Sequence, residues 1–263
     1  MLYKLLGIIL ILLGITGAII PVMPCIPFLI VGVLLLYKDK LHELRKGIPE
    51  EFPSLLAGMY GAFVSKMFAP YHKKICDSIT LSDGSILLDI GTGPGTLPIA
   101  IAGKFPSAKV IGIDLSKKMI QIAEKNRQMS GAANNLEFKV MDAKNLAFCD
   151  NSLDMVISTG SMHHWKDPVK IFNELYRCLK PGCEAWIYDG YGNAADEDIN
   201  RELNKFFGSL PTPRMARAML RLHGYTQAEY DTIIKDHVAK SAFRTCAFDK
   251  AGIMMRIVLS KPL

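Results

Sequence analysis

The stretch "LLDIGTGPG" (Leu87 to Gly95) constrains this chain more tightly than any other short segment. An apolar run suited to a buried strand reaches Asp89 and passes at once into Gly91, Gly93 and Gly95. Glycine tolerates the tight turn a strand makes as it enters a helix. With no Cβ, it also lets a ligand lie against the main chain.

The residues that follow alternate between strand and helix patterns. "ILLDI" (Ile86 to Ile90) and "KVIGID" (Lys109 to Asp114) read as strands. Ser116 is placed to cap the helix "KKMIQIAEKNRQM". "LEFKV" (Leu136 to Val140) and "LDMVIST" (Leu153 to Thr159) are the third and fourth strands. Asp167 and Pro168 start the helix "VKIFNELYRCL", which Pro181-Gly182 is expected to end. "EAWIYD" (Glu184 to Asp189) is a fifth strand, and "TCAFDKAGIMMRIVLS" reads as a closing hairpin. The succession predicts an α/β fold, Rossmann-like and doubly wound, with a mostly parallel seven-stranded sheet.

The glycine loop narrows the ligand. A dinucleotide fingerprint wants G-x-G-x-x-G, but the residue three after Gly93 is Thr96. The Gly-Lys-Ser/Thr of a Walker A loop is absent. An acid at the strand end would repel a pyrophosphate. It suits the ammonium of an amino-acid moiety, as in S-adenosylmethionine. Asp114 ends the second strand, where a ribose-binding acid belongs. Asp142 follows the third strand, where it would accept from an adenine amino group. Each acid alone is more often a cap or a solvated loop residue; three at successive strand ends reverse that reading.

Residues 86 to 190 resemble a class I S-adenosylmethionine-dependent methyltransferase, most of all the group that includes the ubiquinone and menaquinone biosynthesis enzymes. The pieces that carry the resemblance are "LLDIGTGPG", "VIGIDLSKKMIQIA", "VMDAKNLAFCDNSLDMVIST", "HHWKDPVKIFNELYRCLKPG" and "AWIYD". The resemblance implies that Asp89, Gly91, Gly93 and Gly95 line the methionine side and that Asp114 binds the ribose. It further implies that Leu115 and Met119 lie near the adenine, that Asp142 and Ala143 hold its edge, and that Ser158 or Thr159 closes the pocket. Gly182-Cys183 replaces the family's usual Gly-Gly turn, and residues 191–243 match nothing in it.

Methyl transfer from a sulfonium is an in-line displacement, in which a protein mainly positions and desolvates. A base is needed only where the nucleophile sheds a proton. His163 and His164, just after the fourth strand, are the catalytic candidates, against a reading in which they only pack or cap the next helix. Tyr60, Tyr71, Asp189 and Tyr191 are weaker ones. In 191–243, Thr226 and Glu229 form a capping box. Just upstream, Arg214, Arg217 and Arg221 share one helical face, and Met215, Met219 and Leu222 share another. That pattern fits a surface helix packed on the domain. It also fits a lid that meets an anionic headgroup.

The N-terminal end has a different character. No charged residue occurs from Leu5 to Tyr37, and the mean hydropathy of the whole chain is +0.20. One helix of that length would run ~50 Å, well beyond a hydrocarbon core of ~30 Å. Pro21, Pro24 and Pro27 interrupt it in any case. Two arms, about Leu2 to Ile20 and Pro27 to Tyr37, fit a hairpin that dips into a membrane. Lys4 on one side and Lys38, Lys40, Arg45 and Lys46 on the other put both ends in the cytoplasm. A single span, a buried core helix and a signal peptide are the competing readings. The stretch "LGITGAIIPVMPCIPFLI" also resembles a family of small bacterial inner-membrane proteins of unknown function.

The expected division is a membrane hairpin (1–37), a juxtamembrane linker with lead-in helices (38–80) and a methyltransferase domain (81–263) with a helical insertion (191–243). The net charge of +6 comes without a long basic block interleaved with aromatics, so nucleic acid is not implied. Six scattered cysteines with no C-x-x-C pair read as free thiols, not a metal site. The leading expectation is a membrane-anchored methyltransferase, with its catalytic domain facing the cytoplasm, acting on a lipid or isoprenoid quinone. The alternatives are a soluble-metabolite methyltransferase that the anchor merely localises, and a non-catalytic S-adenosylmethionine-binding scaffold. A cytoplasmic cofactor counts against export by a signal peptide.

Overall fold

The computed structural model describes residues 8, 71–131, 134–203, 217, 220–221 and 224–263. Its seven strands are β1 (Ile86–Ile90), β2 (Lys109–Asp114), β3 (Leu136–Val140), β4 (Leu153–Thr159), β5 (Leu179–Gly190), β6 (Ala247–Ala251) and β7 (Met254–Ser260). They lie in the order β3-β2-β1-β4-β5-β7-β6. The first five are mutually parallel, and β7 runs antiparallel between β5 and β6. The order reverses at β1, which sits between β2 and β4. In such sheets the crevice beyond the carboxyl ends of the strands is the binding site.

β1 is central because both of its faces are covered, which is why "ILLDI" shows no polar alternation. Leu88 and Ile90 join Ile111, Ile113 and the helix α3 (Pro168–Cys178), where Phe172 and Leu175 pack. Leu87 faces the other way, with Val110, Ile157 and the helix residues Leu97 and Ile101. Those two belong to α1 (Thr96–Lys104), and α2 (Lys117–Ser130) follows β2. Residues 71–78 are helical and lay Tyr71 and Ile75 on the same face as α1. Lys104 Nζ, at the end of α1, donates to the carbonyls of Cys76 (2.7 Å), Asp77 (3.2 Å) and Ile79 (3.2 Å) and so closes that helix.

The expected caps are formed. Ser116 Oγ accepts from the amide of Met119, and Asp167 accepts from that of Lys170, with Pro168 in the first turn. The boundary between α3 and β5 differs from expectation. The helix stops at Cys178, and the strand begins at Leu179, five residues before Glu184. Leu179 pairs with Leu153, and the register then slips before Met155 meets Glu184. Pro181 and Gly182 lie within this irregular strand start. The Gly182 amide donates to the Lys261 carbonyl (2.9 Å), and Lys261 Nζ donates to the carbonyls of Tyr176 and Leu179. The last carbonyls of α3 are thus met from the chain's far end.

The insertion leaves and returns at one place. Tyr225 donates its amide to the Gly190 carbonyl, and Gly192 donates to the Tyr225 carbonyl, both at 2.8 Å. Within it lie α4 (Asp196–Leu203) and a continuous helical run through Gln227–Glu229, a π-helical Tyr230–Ile234 and Lys235–Lys240. The Thr226–Glu229 capping box is present. Arg217 forms an ion pair with Asp196, so this arginine of the expected basic face is turned to α4. Arg214, Met215, Met219 and Leu222 lie outside the described residues. So do Tyr60 and, apart from Ile8, the expected membrane hairpin. Among the described residues, no helix is long and apolar enough to cross a membrane.

α1 and α2 approach β3 closely at Gly95. A Cβ built there would lie 2.5 Å from Phe138 Cζ and 2.9 Å from Ala123 Cβ, at a φ of +77°. Gly95→Ala combines overpacking with a left-handed backbone and is expected to destabilise the fold by about 2–4 kcal/mol. Urea unfolding of the variant beside the wild type checks this.

Candidate active site

The carboxyl ends of β1, β2 and β4 bring most of the expected residues together. Asp89, next to last in β1, is 1% exposed, and its Oδ1 has no hydrogen-bond partner. Burial, helped by the negative charge of Asp114, pushes its pKa up to about 7. The buried Thr92 hydroxyl beside it pulls the other way, favouring the carboxylate, but burial outweighs it. A buried carboxyl with an open acceptor is costly unless a ligand meets it.

The three glycines of the loop do different jobs. A Cβ at Gly91 would lie 2.4 Å from Ser161 Cβ, so Gly91 lets the segment after β4 close against the loop. Gly95 serves the packing of α1. Only Gly93, at a φ of +52°, faces open space, with nothing within 4 Å of a built Cβ. The bare main chain there is the surface a ligand can lie on.

Asp114 fastens the loop to β2. Its Oδ2 accepts from the Gly93 amide and its Oδ1 from the Ser116 amide, each at 2.9 Å. Leu115 is half-buried, and Met119 is buried in the first turn of α2. Asp142 Oδ1 accepts from the Lys144 amide (2.9 Å), with Lys144 Nζ 3.6 Å from Oδ2, so this acid also caps its own turn. Ala143 beside it is buried. Arg177 pins the stretch that follows, donating to the Leu146 and Phe148 carbonyls. Ser158 is fully buried and bonded to Ser161 Oγ (2.7 Å), which reaches the Ile90 carbonyl (3.3 Å). Its hydroxyl ties β4 to β1 inside the protein, whereas Thr159 is half-buried at the strand end.

Of the catalytic candidates, the structure pairs His163 with Asp189. His163 Nδ1 lies 2.9 Å from Asp189 Oδ1 and 3.1 Å from Oδ2, and the His163 amide donates to Oδ2 at 3.1 Å. The Gly190 amide adds a further bond to Oδ1 at 2.8 Å. Asp189 is 1% exposed. Burial alone would raise its pKa, but His163 and the two amides outweigh that and hold it below the usual carboxylate range. His164 stacks at a tilt on His163, with ring centroids 4.1 Å apart. Tyr71 and Tyr191 are buried, the latter donating to Gln227 Oε1.

Two contributors carry no sequence signal of their own. His72 Nδ1 is 2.9 Å from Thr96 Oγ1 at the start of α1, and burial pushes its ring down to about 4, so it meets the hydroxyl uncharged. Asn126 Nδ2 donates to the Pro94 carbonyl (2.8 Å) and braces the loop from α2.

Residues 87–182 match the family model described as a methyltransferase domain. The demethylmenaquinone methyltransferase of Lactobacillus johnsonii is 32% identical over 120 residues, 45% of this chain and 49% of that protein. A Caenorhabditis elegans phosphoethanolamine N-methyltransferase is 36% identical over 117 residues, 43% of this chain and 26% of that protein. The chain thus spans about half the length of the first relative and about a quarter of the second. The solved SAM-dependent methyltransferase of Aquifex aeolicus shares the fold, with a TM-score of 0.54 at 20% identity over 79% of this chain and 98% of that one. Fold, loop and family match together define a class I S-adenosylmethionine-dependent methyltransferase domain.

The residues fit that cofactor. The open Asp89 oxygen suits its ammonium, the bare Gly93 backbone its methionine side, and Asp114 its ribose. Asp89 has to ionise to meet a cation, so binding below about pH 7 must displace its proton. The affinity for S-adenosylhomocysteine, measured by calorimetry, is therefore expected to be about tenfold weaker at pH 6 than at pH 8. Asp89→Asn is expected to flatten that dependence and to weaken binding at pH 8 by about 10- to 100-fold.

Proposed function

We propose that this protein methylates a small lipophilic acceptor, a lipid or an isoprenoid quinone, at the cytoplasmic face of a membrane that residues 1–37 engage. The observation that carries the methyltransferase reading is the pair Asp89 and Asp114 set around the bare Gly93 backbone at the switch point of the sheet. The lipophilic acceptor is favoured by the demethylmenaquinone relative and by the uncharged run from Leu5 to Tyr37.

S-adenosylmethionine, when bound, supplies an electrophilic methyl group on a sulfonium. The chain's residues hold and orient it. Asp89 and the loop take the amino-acid end, Asp114 the ribose, and Leu115, Met119, Asp142 and Ala143 the adenine. The segment from Ser161 closes on Gly91 and brings His163 and Asp189 to the same end of the sheet. The remaining work is desolvation and alignment of the acceptor.

A soluble amine acceptor is the second reading, favoured by the phosphoethanolamine relative. Membranes carrying the full chain, incubated with methyl-labelled S-adenosylmethionine and then extracted, separate the two. Label in the organic phase is the expected result. Label confined to the aqueous phase would favour the soluble acceptor. No label despite measurable cofactor binding and a full substrate supply would point to a binding scaffold.

A further inference from the structure

Resting on the methyltransferase reading, we infer that Glu202 is a positioning residue for the cofactor loop: from the insertion it holds the helix 71–78 in the place from which His72 reaches Thr96, the residue after Gly95. Glu202, next to last in α4, is a charged group at 2% exposure. Its Oε1 accepts from Lys74 Nζ at 3.3 Å, and that lysine is itself mostly exposed. One exposed cation offsets little of what it costs to bury a carboxylate, so the pair is a poor source of stability. A buried charge of this kind makes sense where it fixes one arrangement of the elements around it.

Three elements meet at Glu202. Tyr71 comes from the helix 71–78. Burial first, and then the Glu202 carboxylate, raise the pKa of its phenol, which therefore stays protonated and able to donate to that carboxylate. The turn between β6 and β7 closes the group: a Cβ built on Gly252 would lie 3.7 Å from Glu202 Oε1 and 3.9 Å from the Tyr71 hydroxyl oxygen. The next residue, Ile253, accepts through its carbonyl from the Tyr191 amide (2.9 Å), where the insertion leaves β5. Glu202 thus joins the insertion, the helix 71–78 and the closing hairpin.

The helix 71–78 carries that placement across to the loop. Neighbouring residues of a helix point about 100° apart, so Tyr71 turns to α4 while His72 turns to α1. Tyr71 and Ile75 share a core with Leu97 and Ile101 of α1. His72 Nδ1 meets Thr96 Oγ1 at 2.9 Å. Thr96 opens α1 directly after Gly95, and a Cβ at Gly95 would already strike Phe138 and Ala123. On the other side of Gly95, Asp114 holds the Gly93 amide. A segment so tightly enclosed has little room to move alone, so a shift of His72 and Thr96 passes to the bare Gly93 backbone. By linkage, cofactor binding and the seating of α4 then favour each other.

Calorimetry of the full chain with S-adenosylhomocysteine at pH 8 tests this through two variants and their combination. Glu202→Gln keeps the shape and removes the charge, and Thr96→Val keeps the shape and removes the hydroxyl. Each is expected to weaken binding by about 10-fold. Because both act through His72, the double variant is expected within about threefold of the weaker single one, and not about 100-fold below wild type. Tyr71→Phe, which removes one hydroxyl, takes the place of Glu202→Gln in the cycle should that variant unfold. In the reciprocal direction, saturation with S-adenosylhomocysteine is expected to slow amide hydrogen exchange in residues 196–203 by about threefold or more, and Thr96→Val to lose that effect. Binding by Glu202→Gln and Tyr71→Phe within about twofold of wild type, multiplying effects in the double variant, or exchange in 196–203 indifferent to ligand would each overturn the inference and leave the methyltransferase reading standing. Failure of the wild type to bind S-adenosylhomocysteine would overturn that reading, and the inference with it.

Discussion

A buried carboxyl group beside a second one is a standing expense for a fold, and Asp89 next to Asp114 is such a pair. With one oxygen unpartnered and its pKa raised to about 7, Asp89 binds its proton more tightly in the folded chain than in the unfolded one. The sign follows from linkage. The unliganded fold is favoured by this group below about pH 4 and gives up that advantage as pH rises toward 7. A cation delivered to Asp89 reverses the balance, because it favours the ionised form. The residue thus makes sense as a ligand group and poorly as a structural one.

Everything near Asp89 is arranged to keep that oxygen available while satisfying its neighbours. Asp114 binds the loop through Gly93 and Ser116, Asn126 braces Pro94, and Ser158 and Ser161 join β4 to β1. Gly91 and Gly95 are needed because other parts of the protein press against them, which leaves Gly93 as the exposed backbone. A second buried carboxyl, Asp189, has the opposite fate. Three donors, the His163 ring nitrogen and the amides of His163 and Gly190, favour its ionised form. Two buried acids at the carboxyl ends of the parallel strands, one with an open oxygen and one with both oxygens bonded, divide the work of cofactor binding from that of orienting a side chain.

The sheet was largely legible in the sequence because its central strands β1, β2 and β4 are buried on both faces and read as continuous apolar runs. β1 to β4 and the caps at Ser116, Asp167 and Thr226 fall where spacing puts them. The start of β5 did not, because Pro181-Gly182 looks like a helix stop, and only the pairing of Leu179 with Leu153 shows otherwise. Helix α1, "TLPIAIAGK", has no polar face to reveal its period. Ser158 was expected at the pocket wall, yet its polarity serves an internal bond to Ser161. His163 and Asp189 were each visible as candidates, but their partnership depends on β4 and β5 lying side by side, which no local pattern encodes. His72 meets Thr96 across 24 residues for the same reason.

The central claim is that Asp89 and Asp114 hold the two ends of the cofactor across the bare Gly93 backbone. A crystal structure of the S-adenosylhomocysteine complex tests it most directly. Ribose hydroxyls are expected within hydrogen-bond distance of the Asp114 carboxylate, and the ligand's ammonium is expected to join Asp89 directly or through one water. A complex with the ligand seated away from Gly93, or with the ribose turned from Asp114, would contradict it.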